Sequence, residues 1–343
     1  RLGPAMSNAA VHHTASVLEG VLRGTVQMGA TDDLREQYCR ELGADPAELF
    51  RSLCDAEREH EEVDGKPAFL RYRRVVVEWV IELGDYFKLA RGTTFAAVAI
   101  LDRVRPDERY KRSQWQMVAL TCLLLASKFF EREDKVPSLA QLERITQDEL
   151  PPQLILSYEL CILTKSDYNI AVVTHQHLID VLLLEAVTSC HAPTASTPPP
   201  APTFTTETSA ADVATPVRSA SAPSPSAPMP RLMHGMCRAL SHAAVLDYAC
   251  KGTRASAVAA ASLLTARRLA GLQPAWPPGL ADLAGYAEPE LAEAADMVLS
   301  AARRFCGEEL EAAVAVARVE VDKATRAVHR MQEAVQQQQR QQQ

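Results

Sequence analysis

An all-α fold is what this sequence predicts, and three observations carry the prediction. Residues 113–128 read Ser-Gln-Trp-Gln-Met-Val-Ala-Leu-Thr-Cys-Leu-Leu-Leu-Ala-Ser-Lys, apolar on every side of a helical wheel and uncharged before Lys128. That run is too short to cross a bilayer, so it must be a helix enclosed by other helices. Only 14 Gly and 6% aromatic residues among 343, with abundant Ala, Leu, Val and Glu, favour helix over sheet. Pro106, Pro137 and Pro151-Pro152 fall between periodic segments, where a missing N–H does least harm.

Taken in order, residues 1–33 are small and weakly patterned and are expected to be disordered or marginally helical. The chain begins at Arg1 and not Met, so a preceding N-terminal piece is expected. From Asp32 to Glu62, apolar positions at Leu34, Tyr38, Leu42, Leu49 and Leu53 predict short lead-in helices, ended by Gly65-Lys66-Pro67. Five helices follow at about 68–88, 94–105, 111–129, 138–146 and 151–165, giving a first unit over 34–170.

A helix at about 174–187 opens a second unit over 171–306. It is interrupted at 188–230, where ten of the 21 Pro and fifteen Ser or Thr leave too little apolar surface for a core. The expectation there is a disordered insertion, with Thr197, Thr215 and Ser224, each followed by Pro, as phosphorylation candidates. Residues 253–271 form a small-residue helix suited to close packing. In the tail, 307–343, apolar positions 310, 314, 317, 321, 324, 328, 331 and 335 step alternately by four and three, the pattern of a coiled-coil seam. Either that seam packs on its own domain or it takes a coiled-coil partner through 310–335. The Gln-rich end is of low complexity.

The net charge of −7 and the absence of clustered Lys and Arg argue against direct nucleic-acid binding. The eight Cys have no Cys-x-x-Cys or paired Cys/His spacing, so no metal site is predicted, and several sit in apolar helices as reduced thiols do in cytosol or nucleus. No segment reads as a membrane span. No Gly-rich phosphate loop, His-Glu-x-x-His or nucleophile elbow is present; His12-His13 and His175-x-His177 read as surface residues. The chain is therefore expected to be neither an enzyme nor a cofactor protein.

Several of these segments resemble a cyclin box. The resemblance rests on Arg73 with Trp79 six residues on, Leu101-Asp102-Arg103, Gln116-Met117-Val118, Leu125-Ala126-Ser127-Lys128-Phe129 and the late helical Glu159. Arg73, Asp102, Met117, Lys128 and Glu159 occupy the positions of the family's five-residue signature, with Met117 where the family has a Leu of similar size. A second repeat is recognisable from the 253–271 helix through Trp276-Pro277, Leu280, Gly285-Tyr286 and Glu290-Leu291, with Ala255 where the family usually has Pro. The resemblance covers roughly 34–306.

It implies two five-helix repeats, a cyclin-dependent Ser/Thr protein kinase as partner, and a regulatory role in cell-cycle control in nucleus and cytoplasm. Lys128 and Glu159, joined by Glu131, are the implied kinase-binding residues; taken alone, Lys128 is simply a cation at a helix C-terminus. Arg73 and Asp102 read as a partly buried ion pair that fixes a helix crossing. Tyr72, Val75, Val76, Trp79, Glu82 and Gln116 align with the shallow patch that some cell-cycle cyclins use to hold Arg-x-Leu segments of substrates or inhibitors, although Tyr72 replaces the usual Met. On composition alone, Trp79 is a core aromatic. Two other readings stay open: a transcription-associated cyclin, and a cyclin-fold adaptor that activates no kinase.

Overall fold

The computed structural model describes residues 46–58, 70–104, 112–145, 152–189 and 228–341. Helix and short 3-10 turns make up its regular structure, with no strand among the described residues. The first repeat comprises α2 (Leu70–Tyr86), α3 (Arg91–Val104), α4 (Arg112–Phe130), α5 (Leu139–Ile145) and α6 (Pro152–Lys165), preceded by α1 (Pro46–Arg58). The second comprises α7 (His175–Ser189), α8 (Pro228–Leu246), α9 (Ala255–Ala270), α10 (Pro278–Ala284) and the start of α11 (Ala292–Gln341).

The predicted centre is the centre. Met117, Leu120, Leu123 and Leu124 of α4 are almost fully buried, and α3 packs along them with Phe95, Ile100 and Leu101. In the second repeat α9 has the same place: its Ala259, Ala260 and Ala261 are inaccessible, and small side chains let α7 and α11 approach closely. Helix α9 ends where the sequence supplies Gly271, held at φ 80° in the left-handed region that favours glycine.

Two placements differ from the sequence reading, and one open alternative is decided. The lead-in helix α1, grouped by sequence with the first repeat, sends Phe50 into the core of the second, with Leu49 and Leu53 packed beside it. The interruption is shorter than 188–230, because α7 runs through Ser189 and α8 begins at Pro228, a residue tolerated in a first turn. Residues 1–33 and the candidates Thr197, Thr215 and Ser224 lie outside the described residues. The tail seam is partly spoken for: Leu310 and Ala317 are buried in the second core and Val314 and Val321 lean on it, so this half of the heptad is filled by its own domain and is not open to a coiled-coil partner. Between repeat and tail, Cys306 leaves helical geometry at φ −133°, ψ 18°.

The repeats are joined by side chains from both. Val245 and Leu246, at the end of α8, belong to the first core. On α7, His177 stacks on Phe130 at 5.2 Å and lies against Gly92, where an added Cβ would sit 2.4 Å from the imidazole. His175 packs on Phe95 at 5.3 Å, with Nε2 3.0 Å from the Ser241 carbonyl. The surface placement expected for His175 and His177 is thus corrected: both are ring contacts of the inter-repeat seam, and burial pushes each pKa down to about 4.

Candidate protein-interaction face

Helices α4 and α6 lie side by side, and their neighbouring faces bring together residues 31 apart in sequence. Lys128, in the last turn of α4, donates from Nζ to Glu159 Oε1 of α6 at 2.5 Å. The Lys128 side chain is 43% exposed and that of Glu159 14%. A cation at a helix C-terminus is favourably placed by the helix dipole; here it also meets a carboxylate, and the pair stays open on one side.

Around it lie apolar side chains that no core covers. Phe129 is 51% exposed, and on α6 Leu156 and Leu160 are 48% and 59% exposed. The sequence reading missed them, yet a signal was there: α6 carries Leu154, Ile155, Leu156, Leu160, Ile162 and Leu163, more apolar positions than one buried stripe needs. Only Ile155 and Ile162 among these are fully buried.

Glu131 is placed otherwise. Its side chain is 5% exposed, and its Oε1 accepts from the Ala90 N–H at 2.5 Å and the Thr93 hydroxyl at 2.8 Å, with Lys135 Nζ 3.9 Å from Oε2. The carboxylate thus satisfies donors at the N-terminus of α3 and ties that end to the end of α4.

The signature pair Arg73 and Asp102 is buried, each side chain 4% exposed. Arg73 Nε and Nη2 donate to the two Asp102 oxygens, both at 2.8 Å. The same guanidinium crosses to the second repeat: Nη1 donates to the Leu246 carbonyl and Nη2 to the Val245 carbonyl, each at 3.1 Å. These carbonyls, in the last turn of α8, have no intrahelical donor. The sequence predicted the α2–α3 crossing contact; the link to the second repeat was invisible because its acceptors are backbone. Met117 completes the signature as a core side chain, 1% exposed.

Tyr72, Val75, Val76, Trp79 and Glu82 follow one face of α2, and Gln116 stands on α4. Tyr72 is 51% exposed, and the other five are partly buried. Val76 and Trp79 pack their inner edges on the first core. The patch is thus a shallow surface with an apolar floor continuous with the interior.

Among the described residues, no group of three His, Cys, Asp or Glu side chains is placed to hold an ion, and no helix is long and apolar enough to cross a membrane. Burial raises the Cys237 and Cys250 thiols to about 12, which makes them inert packing groups.

The family described as "Cyclin, N-terminal domain" matches residues 51–171, and "Cyclin, C-terminal domain" matches residues 220–341. Human Cyclin-J is 32% identical over 160 residues, covering 45% of this chain and 42% of the relative. G2/mitotic-specific cyclin-B2 of Rana japonica is 29% identical over 156 residues, 44% of this chain and 38% of the relative. The chain therefore spans less than half the length of these relatives. The X-ray structure of a viral cyclin from herpesvirus saimiri superposes with a TM-score of 0.48 at 17% identity, covering 80% of this chain and 97% of the other. With both family descriptions matched and two all-helical repeats around buried central helices, the chain belongs to the cyclin family.

Proposed function

We propose that this protein is a non-enzymatic regulatory subunit that binds a cyclin-dependent Ser/Thr protein kinase and holds it in its active form during cell division, in nucleus and cytoplasm. The observation that carries the reading is the open Lys128–Glu159 pair, flanked by exposed Phe129, Leu156 and Leu160. A kinase needs its strand Lys paired with a Glu on a mobile helix. A rigid face that docks this helix inward shifts the population towards the active state. Lys128 and Glu159 can exchange their mutual contact for hydrogen bonds to such a helix, and the apolar ring around them suits a surface that becomes dry on binding. Glu131, committed to α3, is given the supporting part of fixing the end of α4 beneath the pair.

Substrate recruitment is assigned to the patch of Tyr72, Val75, Val76, Trp79, Glu82 and Gln116. An apolar floor edged by a carboxylate suits a segment bearing one Arg and one Leu.

The test is reconstitution with candidate cyclin-dependent kinases. Lys128→Ala and Glu159→Ala are each expected to weaken kinase binding by about 2–5 kcal/mol, since each leaves a partner unpaired in a drying interface. Normal activation by both variants would overturn the reading in favour of an adaptor that activates no kinase. Trp79→Ala is expected to raise KM for Arg-x-Leu-bearing substrates while kcat on a short peptide stays the same, because docking is remote from the reacting hydroxyl. Equal losses on both substrates would return Trp79 to a core role.

A further inference from the structure

Between the two repeats, on the side of the Arg73–Asp102 pair, lies a cleft of about 390 Å³. Charged side chains from both repeats and from α1 line it, and they are not balanced in the way they are used. Each carboxylate is committed. Asp102 takes both Arg73 bonds, Asp247 holds Arg304 at 2.8 Å and the Ala249 N–H at 3.1 Å, and Glu57 of α1 accepts the Ser256 N–H at the start of α9 at 3.2 Å.

The cations are differently placed. Arg103, partly buried, spends Nη1 on the Asn169 carbonyl at 2.8 Å, and Arg254, exposed, stands at the N-cap of α9; no carboxylate among the described residues pairs with either. Burial holds the Arg103 guanidinium below its usual range with no carboxylate to offset the loss of solvent. Lys251 adds a third positive charge, near the Asp102 carbonyl at 3.5 Å and over the Tyr248 ring. The first-turn N–H groups of α9 contribute partial positive charge to the same wall, and Glu57 already places one carboxylate there.

We propose that this cleft is an anion-binding site for phosphorylated Ser or Thr of a protein partner, held by Arg103 and Arg254 with Lys251 at the rim. The choice of phosphate rests on the kinase-activator reading, since the chains such a complex meets carry phosphorylated Ser and Thr. A phosphoryl group offers three strong acceptor oxygens and close to two negative charges, the chemical complement of a wall that carries guanidinium groups.

Binding is measured on the isolated full chain by fluorescence anisotropy, with a short labelled Ala/Gly peptide bearing one phosphoserine, the same peptide with serine, and a single-stranded oligonucleotide as competitor. No kinase is present, so the outcome is separate from that of the Lys128 and Glu159 experiment. The phosphopeptide is expected to bind at least about tenfold more tightly than the serine peptide, and Arg254→Gln and Arg103→Gln each to remove most of that difference. Glu57→Gln, which takes a negative charge out of the cleft, is expected to tighten binding. Arg254 is exposed, so its variant stays informative if Arg103→Gln fails to fold. Equal binding of the two peptides, phosphate-dependent binding unmoved by Arg254→Gln, or displacement by the oligonucleotide as effective as by unlabelled phosphopeptide would each overturn the proposal.

Discussion

Arg73–Asp102 and Lys128–Glu159 are both cation–carboxylate pairs that bridge two helices of the first repeat, yet they differ in nearly every physical respect. Arg73 and Asp102 are each 4% exposed, joined by two 2.8 Å bonds, and the guanidinium carries two backbone carbonyls besides. Lys128 and Glu159 share a single bond, with the Lys 43% exposed. A buried pair survives only when every lone pair and proton is met, and once they are met nothing is left over for a partner. A surface pair adds little to stability, and for the same reason it can be exchanged for another contact at small cost. The five signature residues are thus of two kinds, three that set the frame and two that face outward.

The largest effect is expected from breaking the closed pair. Arg73→Ala leaves Asp102 charged and buried and strips donors from the Val245 and Leu246 carbonyls, so urea unfolding should register a loss of about 3–5 kcal/mol. Replacing both residues by apolar side chains of similar volume rescues many buried pairs, but here the two carbonyls of α8 would still lack donors, each costing about 1–3 kcal/mol. A cost below about 1 kcal/mol for Arg73→Ala would erase the distinction drawn between the pairs.

Next comes the seam that lets the second repeat bear on the open pair. Phe130, two residues from Lys128, stacks on His177, and His177 fills the space beside Gly92. Gly92→Ala puts a Cβ 2.4 Å from the imidazole Cδ2, so ring or helix must shift, at about 1–3 kcal/mol. A thermal melt of Gly92→Ala alone and combined with His177→Ala checks this: the second change should recover part of the loss, and strict additivity would place the strain elsewhere.

Acid should loosen the same seam. His175 and His177 of the seam, and His234 elsewhere on α8, each have a folded pKa near 4 because burial disfavours the charged imidazole, against an ordinary value of 6.5. Between those values the unfolded chain binds more protons, so stability present above pH 6.5 is lost as pH falls towards 4. Asp180 works the other way: burial raises its carboxyl from 3.8 to about 6, against the pull of Gln176, Arg238 and Arg91, so acidification favours the fold at that one group. Three groups outweigh one, and the melting temperature is expected to fall by about 5 °C or more between pH 7 and pH 5. An unchanged melting temperature would mean these imidazoles are solvated.

How much of this was legible in the sequence follows from which contacts are local. The central helix could be read because a run from Trp115 to Ser127 with no charge has nowhere to go but inside, and helix ends followed from Pro and charge. The Arg73–Asp102 and Lys128–Glu159 pairs came from the resemblance, since nothing local marks residues 29 or 31 apart as neighbours. Three examples show what escaped. Phe50 of α1 joins the second core because its target lies more than 100 residues away, as α7 and α9. The Arg73 acceptors are backbone carbonyls, which every residue has. Glu131 looks in sequence like one member of a charged turn after α4, and only packing turns it onto α3.

The smallest effect is the one that keeps the open pair distinct from the closed one. Lys128→Ala and Glu159→Ala should each lower the unfolding free energy by no more than about 1 kcal/mol, the range of exposed ion pairs, while the circular-dichroism spectrum stays helical. The two should not be equal. The Glu159 side chain is 14% exposed and Lys128 43%, so removing the Lys strands the more buried group, whereas removing the Glu leaves an ammonium free to turn into water. Lys128→Ala is therefore expected to cost slightly more than Glu159→Ala, and the double variant less than the sum of the two, with the non-additive part a few tenths of a kcal/mol in a denaturant-based cycle and shrinking as salt is raised. A coupling as large as that expected for Arg73 and Asp102, and insensitive to salt, would mean that Lys128 and Glu159 also belong to the frame. Any loss of kinase binding in these variants would then follow from a damaged fold and not from a lost contact.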